Sequence, residues 1–220
     1  MASHEQNDGL AASDPRARPL YTLREAAGYL GVPVTTLHSW GRPSAGRPLF
    51  TIFVAHGRQP SIPFIGLAEA FVVAAAKRAG VPDHRIRPNV EEINRELGIA
   101  HALAHKRVFT DGAELLVRLD NGSDLEVPRL KQQQLTATVK NQLRLITYAD
   151  DGMARRLVLP KYGELLGVSI DPLVASGRPL LRGARVKDLL DRSQGGDSKE
   201  EIAAAFGLTI ASVQAIVGDA

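Results

Sequence analysis

The chain has 220 residues, 44% hydrophobic and 23% charged, close to the averages of folded soluble domains, which excludes wholesale disorder and leaves room for one to three small domains. With 0 cysteines it has no disulfide framework, no thiolate zinc site and no cysteine nucleophile. The formal charge of +3 tolerates a nucleic-acid partner without demanding one. Residues 1–19 read as a disordered polar leader without an apolar signal core, and no run approaches the ~20 apolar residues of a membrane span. A cytoplasmic protein without a membrane partner is expected.

The first helix is expected from Thr22, which stands three residues before Glu25, the spacing at which hydroxyl and carboxylate cap each other's backbone amides. Leu23, Ala26, Ala27 and Leu30 share one face of it. Gly31 ends it as a residue free to take positive φ, and Pro33 opens a second helix to about Trp40. That helix buries Leu37 and Trp40 and leaves Thr35, Thr36, His38 and Ser39 outside. In a helix-turn-helix the second helix enters the major groove, where short hydroxyl donors reach base edges. Arg24, Arg42, Arg47 and Arg58 stand where they can hold phosphates. The alternative is a helical hairpin whose polar face meets only water. Tyr21, Thr22, Glu25, Ala26, Ala27, Leu30, Gly31, Val32, Leu37 and Trp40 carry a resemblance to the MerR-type helix-turn-helix. The chain departs from it at Pro33, where that family has a serine cap.

Arg42 to Pro63 is rich in Pro, Gly and Arg, with one apolar stretch, Phe50 to Ala55, expected as a strand of a small wing. A helix follows from Gly66 to Gly80, whose face of Leu67, Ala70, Phe71, Ala74 and Ala75 suits a core or a dimer contact. The next runs from Pro82 towards Leu97, kinked or split at Pro88. Val108 to Thr110 and Leu115 to Leu119 read as a hairpin about Asp111-Gly112, and Asn121-Gly122 introduces a further strand to Pro128. Lys131 to Leu143 is expected as a helix. A second hairpin, Arg144 to Tyr148 and Met153 to Leu159, turns at Asp150-Asp151-Gly152.

Two features of this region invite an enzymatic reading. His101 and His105 stand at i and i+4, a possible metal pair on a helix, yet no glutamate lies between them in an HExxH pattern and no third ligand is evident. Asp150 and Asp151 are adjacent, which favours a turn over paired acid and base work. No phosphate loop, nucleophile elbow or dinucleotide fingerprint is present, so neither an enzyme nor a cofactor or metal is expected.

The C-terminal stretch repeats the first pattern: Ser198 and Glu201 form a capping box, Ile202, Ala205 and Phe206 an apolar face, Gly207 a helix stop and Thr209 a cap for a last helix through Val213, Ile216 and Val217. With Val186 to Leu190 this makes a trihelical unit. Its last helix has no Lys or Arg, which favours a protein or a second copy over DNA as its partner. Ile170, Asp171, Pro172, Gly177, Arg178, Pro179, Arg182, Gly183, Arg185, Val186, Ser198, Glu201, Ile202, Gly207, Leu208 and Thr209 make the string similar to a small domain-of-unknown-function family found in bacterial antitoxins paired with PIN-domain ribonuclease toxins of the VapC kind. The middle block resembles the longer members of this group, which carry a MerR-like head; Pro88 is a departure.

That resemblance implies a VapB-like type II antitoxin that neutralises a PIN-domain toxin and represses its own operon, most simply as a homodimer on operator DNA. Arg178, Arg182 and Arg185 are the candidate toxin-binding residues, since an arginine can grip carboxylates bidentately; pairing within the chain, with Asp171 or Asp188, is the competing role. The rival is a stand-alone MerR-like regulator that senses a ligand through residues 61–160. The expected fold is α+β, mainly α: a leader over 1–19, a helix-turn-helix and possible wing over 20–60, central helices with a small antiparallel sheet over 61–160, and a trihelical domain over 161–220.

Overall fold

A computed structural model describes residues 13–42, 47–54, 59–117 and 129–218. The chain is mainly α with short antiparallel strands, as expected, and divides into two compact units, up to Arg155 and from Arg156 onward.

The first unit begins with a 3-10 turn, Pro15–Ala17, capped by Asp14. Arg16 in that turn holds Asp14 at 2.7 Å and Asp151 at 2.5 Å, so the described end of the expected leader is pinned to a distant turn. Strand β1 (Pro19–Tyr21) pairs antiparallel with β2 (Ile62–Pro63). Between them lie α1 (Leu23–Leu30) and α2 (Val34–Gly41). Helix α3 (Phe64–Ala79) is buried without a break from Phe64 to Ala76, the mark of a helix enclosed by its own unit, so its apolar face is core. It ends at Gly80, whose φ of 99° supplies the left-handed stop. Helices α1, α4 (Asp83–Leu97) and α6 (Arg129–Leu143) pack on it, and α5 (Ala113–Leu116) packs on α4.

Helix α4 runs on through Pro88 without splitting; the proline has no amide to offer the His84 carbonyl, and both residues are exposed. Two expectations are corrected here. The expected strands over 108–117 are helical, a π turn over Val108–Gly112 leading into α5. Val108, Gly112, Ala113, Leu116 and Val117 are buried at helical spacing, and Gly112 lets Val108 and Ile93 close in to 3.3 and 3.7 Å of where a Cβ would stand. The rest of that hairpin and the Asn121-Gly122 turn lie outside the described residues. Phe50 to Val54 form no strand. This segment belongs to the stretch 47–54, hereafter the strap, which lies on α3 because Gly66 has no side chain: a Cβ there would come within 2.0 Å of the Thr51 carbonyl oxygen.

The second hairpin is present, β3 (Ile146–Tyr148) and β4 (Ala154–Val158), and β4 falls across the boundary between the units. Asp151 accepts the Met153 amide at 2.9 Å, the turn role expected of it. In the second unit the end of β4 pairs antiparallel with β5 (Ser169–Ile170), β5 with β6 (Leu180–Leu181) and β6 with β7 (Ala184–Arg185). Helices α7 (Val186–Gln194), α8 (Lys199–Phe206) and α9 (Ile210–Val217) then close on one another around Leu189, Ile202, Val213 and Ile216. No single helix among the described residues is long and apolar enough to cross a membrane.

Candidate nucleic-acid interface

Local bonds shape the α1–α2 corner. The Thr22 hydroxyl accepts the Glu25 amide at 3.2 Å, and the Glu25 carboxylate accepts the Thr22 amide and hydroxyl, both at 2.9 Å. Gly31 turns the chain at φ 65°, and the Val32 amide donates back to the Ala27 carbonyl at 3.1 Å. Pro33 presets the entry to α2 but offers no side-chain cap. Tyr21, Ala26, Ala27, Leu30, Leu37 and Trp40 are buried under the two helices, with Tyr29 edge-on to Tyr21.

The outer face of α2 carries Thr35, His38 and Ser39 exposed, with Thr36 half-buried beside them. Ser39 spends its proton on the Thr36 carbonyl at 2.7 Å and keeps its lone pairs for an incoming donor. Arg24 on α1 and Arg42 at the end of α2 are exposed and make no ion pair among the described residues. Arg47 is brought back towards them by the strap, since the Leu49 amide donates to the Trp40 carbonyl at 2.9 Å. Arg58 lies outside the described residues. Two cations reach this corner with no signature in the sequence: Arg78 on α3 donates through Nη1 to the Leu30 carbonyl at 3.2 Å, and Arg87 on α4 donates through Nη1 to the Arg47 carbonyl at 2.5 Å, across forty residues and with no local pattern to announce it.

The strap is held by a buried carboxylate. Glu69 on α3 accepts the Thr51 amide at 2.6 Å and faces Nδ1 of His101 at 3.0 Å, and the Thr51 hydroxyl meets the same nitrogen at 3.0 Å. Burial works against a charged His101 ring and is the largest single influence, yet the hydrogen bond and charge of Glu69 together outweigh it and raise the imidazole pKa. Because acid and hydroxyl converge on one nitrogen, the trio is no proton relay, which needs them on opposite sides of the ring. His101 and His105 flank a 3-10 turn, Ala102–Ala104, rather than standing on an α-helix. The trio borders a cavity of about 570 Å³ with Arg47, Leu49 and Asn94.

In the second unit the same corner recurs. Ser198 and Glu201 cap each other, Gly207 turns at φ 63°, and Thr209 caps α9 through the Ser212 amide at 3.2 Å. Ile202 and Ala203 supply the buried face, whereas Ala205, expected there, is exposed, and Phe206 is half-buried under the Arg192 guanidinium. The outer face of α9 is Ile210, Ala211, Gln214 and Ala215, without a charge. Arg178, Arg182 and Arg185 are all exposed, and Arg182 and Arg185 make no ion pair among the described residues. Arg182 and Gly183 are the two-residue turn between β6 and β7, at φ 48° and 93°.

Two family models match the chain, one in each half. Residues 19–90 match a family described as "Putative DNA-binding HTH domain", and residues 168–218 match "Protein of unknown function (DUF433)". Over 216 residues the chain is 38% identical to "Putative antitoxin VapB45" of Mycobacterium tuberculosis, covering 87% of this chain and 89% of that one. The chain belongs to the VapB45 antitoxin family. It is also 25% identical over 209 residues to "Uncharacterized protein Rv2308" of Mycobacterium tuberculosis, covering 90% of this chain and 88% of that one. The VapB45-like fold has a solved counterpart in the crystal structure of Rv2018 from Mycobacterium tuberculosis, 32% identical, with a TM-score of 0.76 over 92% of this chain and 98% of that one.

Proposed function

We propose that this chain is a DNA-binding antitoxin: its first unit holds operator DNA and represses its own operon, and its second unit holds a PIN-domain ribonuclease toxin. The observation that carries the reading is the 38% identity to a protein named as an antitoxin along nearly the whole of both chains. The helix-turn-helix supports the DNA half. Thr35, Thr36, His38 and Ser39 read base edges, while Arg24, Arg42 and Arg47 hold phosphates. A single helix-turn-helix makes few base contacts, so the chain acts as a homodimer on a palindromic site. Arg178, Arg182 and Arg185 face the carboxylates of the toxin's metal-binding centre. The protein is cytoplasmic, with no catalysis of its own.

Co-expression with the product of the adjacent reading frame tests this directly. The expected result is a stable complex in which that protein's ribonuclease activity is silenced and which shifts a duplex from the upstream region. A neighbour that is no nuclease, or that forms no complex, defeats the antitoxin reading. The cavity beside Glu69 and His101 favours one rival, a ligand-sensing regulator, which requires that a small molecule alter operator binding in the absence of any toxin.

A further inference from the structure

Several cations of the first unit are neutralised where they stand. Lys77 holds Asp83 at 2.8 Å, Arg107 holds Asp111 at 3.0 Å, Arg95 lies 3.6 Å from Glu92, and Arg16 spans Asp14 and Asp151. Arg87 is different. Its bond is to a neutral carbonyl, that of Arg47, and among the described residues no carboxylate meets it. A carbonyl asks for a donor, not for a charge, so the cation remains uncompensated on a half-exposed side chain.

Its position follows from the strap. The Leu49 amide is bonded to the Trp40 carbonyl in the last turn of α2, and the two residues from Arg47 to Leu49 span at most about 7 Å. The Arg87 guanidinium therefore stands close to the C-terminal end of the second helix of the helix-turn-helix, the end that carries Arg42. One N–H engaged on the Arg47 carbonyl orients the planar fork and leaves further donors for an anion. Beside a helix that reads a groove, the anion of matching chemistry is a backbone phosphodiester. The helix-turn-helix family match, which runs to residue 90, takes in this turn of α4 as well.

We propose that Arg87 is a phosphate-binding residue that, with Arg42, carries the DNA contact from α2 onto α4. The inference rests on the DNA-binding reading of the first unit, and its test separates the two. Binding of the full-length chain to a duplex of its own upstream region, and to a scrambled duplex of the same composition, is followed by fluorescence anisotropy over a salt series. Each phosphate contact contributes about 0.9 to the slope of log K against log salt. Arg87→Gln, whose amide still offers a donor to the Arg47 carbonyl, is expected to flatten the slope by about 0.9 on both duplexes, since a phosphate carries no sequence information. Arg87→Lys should restore it.

If Arg87→Gln weakens binding at every salt concentration with the slope unchanged, or changes neither, Arg87 only anchors the strap and the proposal falls while DNA binding by the first unit stands. If the wild-type chain binds neither duplex, both fall. Should the Gln variant unfold, phenylglyoxal labelling of the wild-type protein decides: bound duplex is expected to shield Arg87, and labelling that proceeds unchanged in its presence overturns the assignment.

Discussion

At the scale of single residues, the proposed DNA-contacting side chains of α2 can be tested apart from the fold. Thr35 is exposed and Thr36 half-buried, and Thr36 contributes to the fold mainly through its backbone carbonyl, so replacing both with alanine should leave the melting temperature almost unchanged. The same double variant should lose about 1–3 kcal/mol per broken base contact on the operator and much less on scrambled DNA. Equal losses on both duplexes would mean that these hydroxyls touch phosphates. His101 gives a second prediction. Its pKa is raised in the folded state, so its stabilising contribution is whole below the ordinary imidazole value of about 6.5 and is lost as pH rises through the raised one. Urea midpoints should therefore decline over that window in the wild type and not in His101→Asn. A parallel decline in both assigns the pH effect elsewhere. These two groups also differ in legibility. The hydroxyls follow from helical spacing, whereas Glu69 sits inside an apolar run and shows its role only when the chain returns His101 and Thr51 to it.

At the scale of elements, local chemistry is legible in the sequence and partner choice is not. Both capping boxes and both glycine stops stand where Thr22, Ser198, Gly31 and Gly207 predict, because those bonds close within a few residues of chain. Val108 to Val117 misleads because a short apolar run with a central Asp-Gly suits a hairpin turn or a helix equally, and the buried face of α4 chooses the helix. The strap imitates a wing strand, but its amides go to a carboxylate on α3, from Thr51, and to the Ser61 carbonyl, from Phe53, without forming a ladder. Two glycines turn this contrast into a measurement. Gly28 lies exposed in α1 with nothing within 4 Å of where a Cβ would stand, so Gly28→Ala should stabilise by about 0.8–1 kcal/mol through helix propensity alone. Gly66→Ala would drive a methyl into the Thr51 carbonyl and should cost about 1–3 kcal/mol or more, with a loss of DNA affinity as the strap lifts. A well-folded Gly66→Ala with wild-type affinity would show that the strap does not position α2.

At the scale of the whole molecule, the charge is divided unevenly between the two units. The excess of three positive charges belongs entirely to the first unit, while the second has eight basic and eight acidic residues. A unit without net charge gains little from a polyanion in general and must recognise its partner by local arrangement. The β6–β7 turn offers such an arrangement at a measurable cost. A two-residue hairpin with both positions at positive φ favours Asn, Asp or Gly, yet this chain places Arg182 at φ 48°. An L side chain in that region is strained by about 1–2 kcal/mol, and Asn tolerates it better. If the arginine is retained for the toxin, Arg182→Asn should raise the melting temperature of the second unit and weaken toxin binding in titration calorimetry. A gain in stability with unchanged affinity would remove Arg182 from the interface, and a loss of stability would show that its side chain supports the fold despite the absence of an ion pair among the described residues. The opposed signs are what distinguish a residue kept for a partner from one kept for packing.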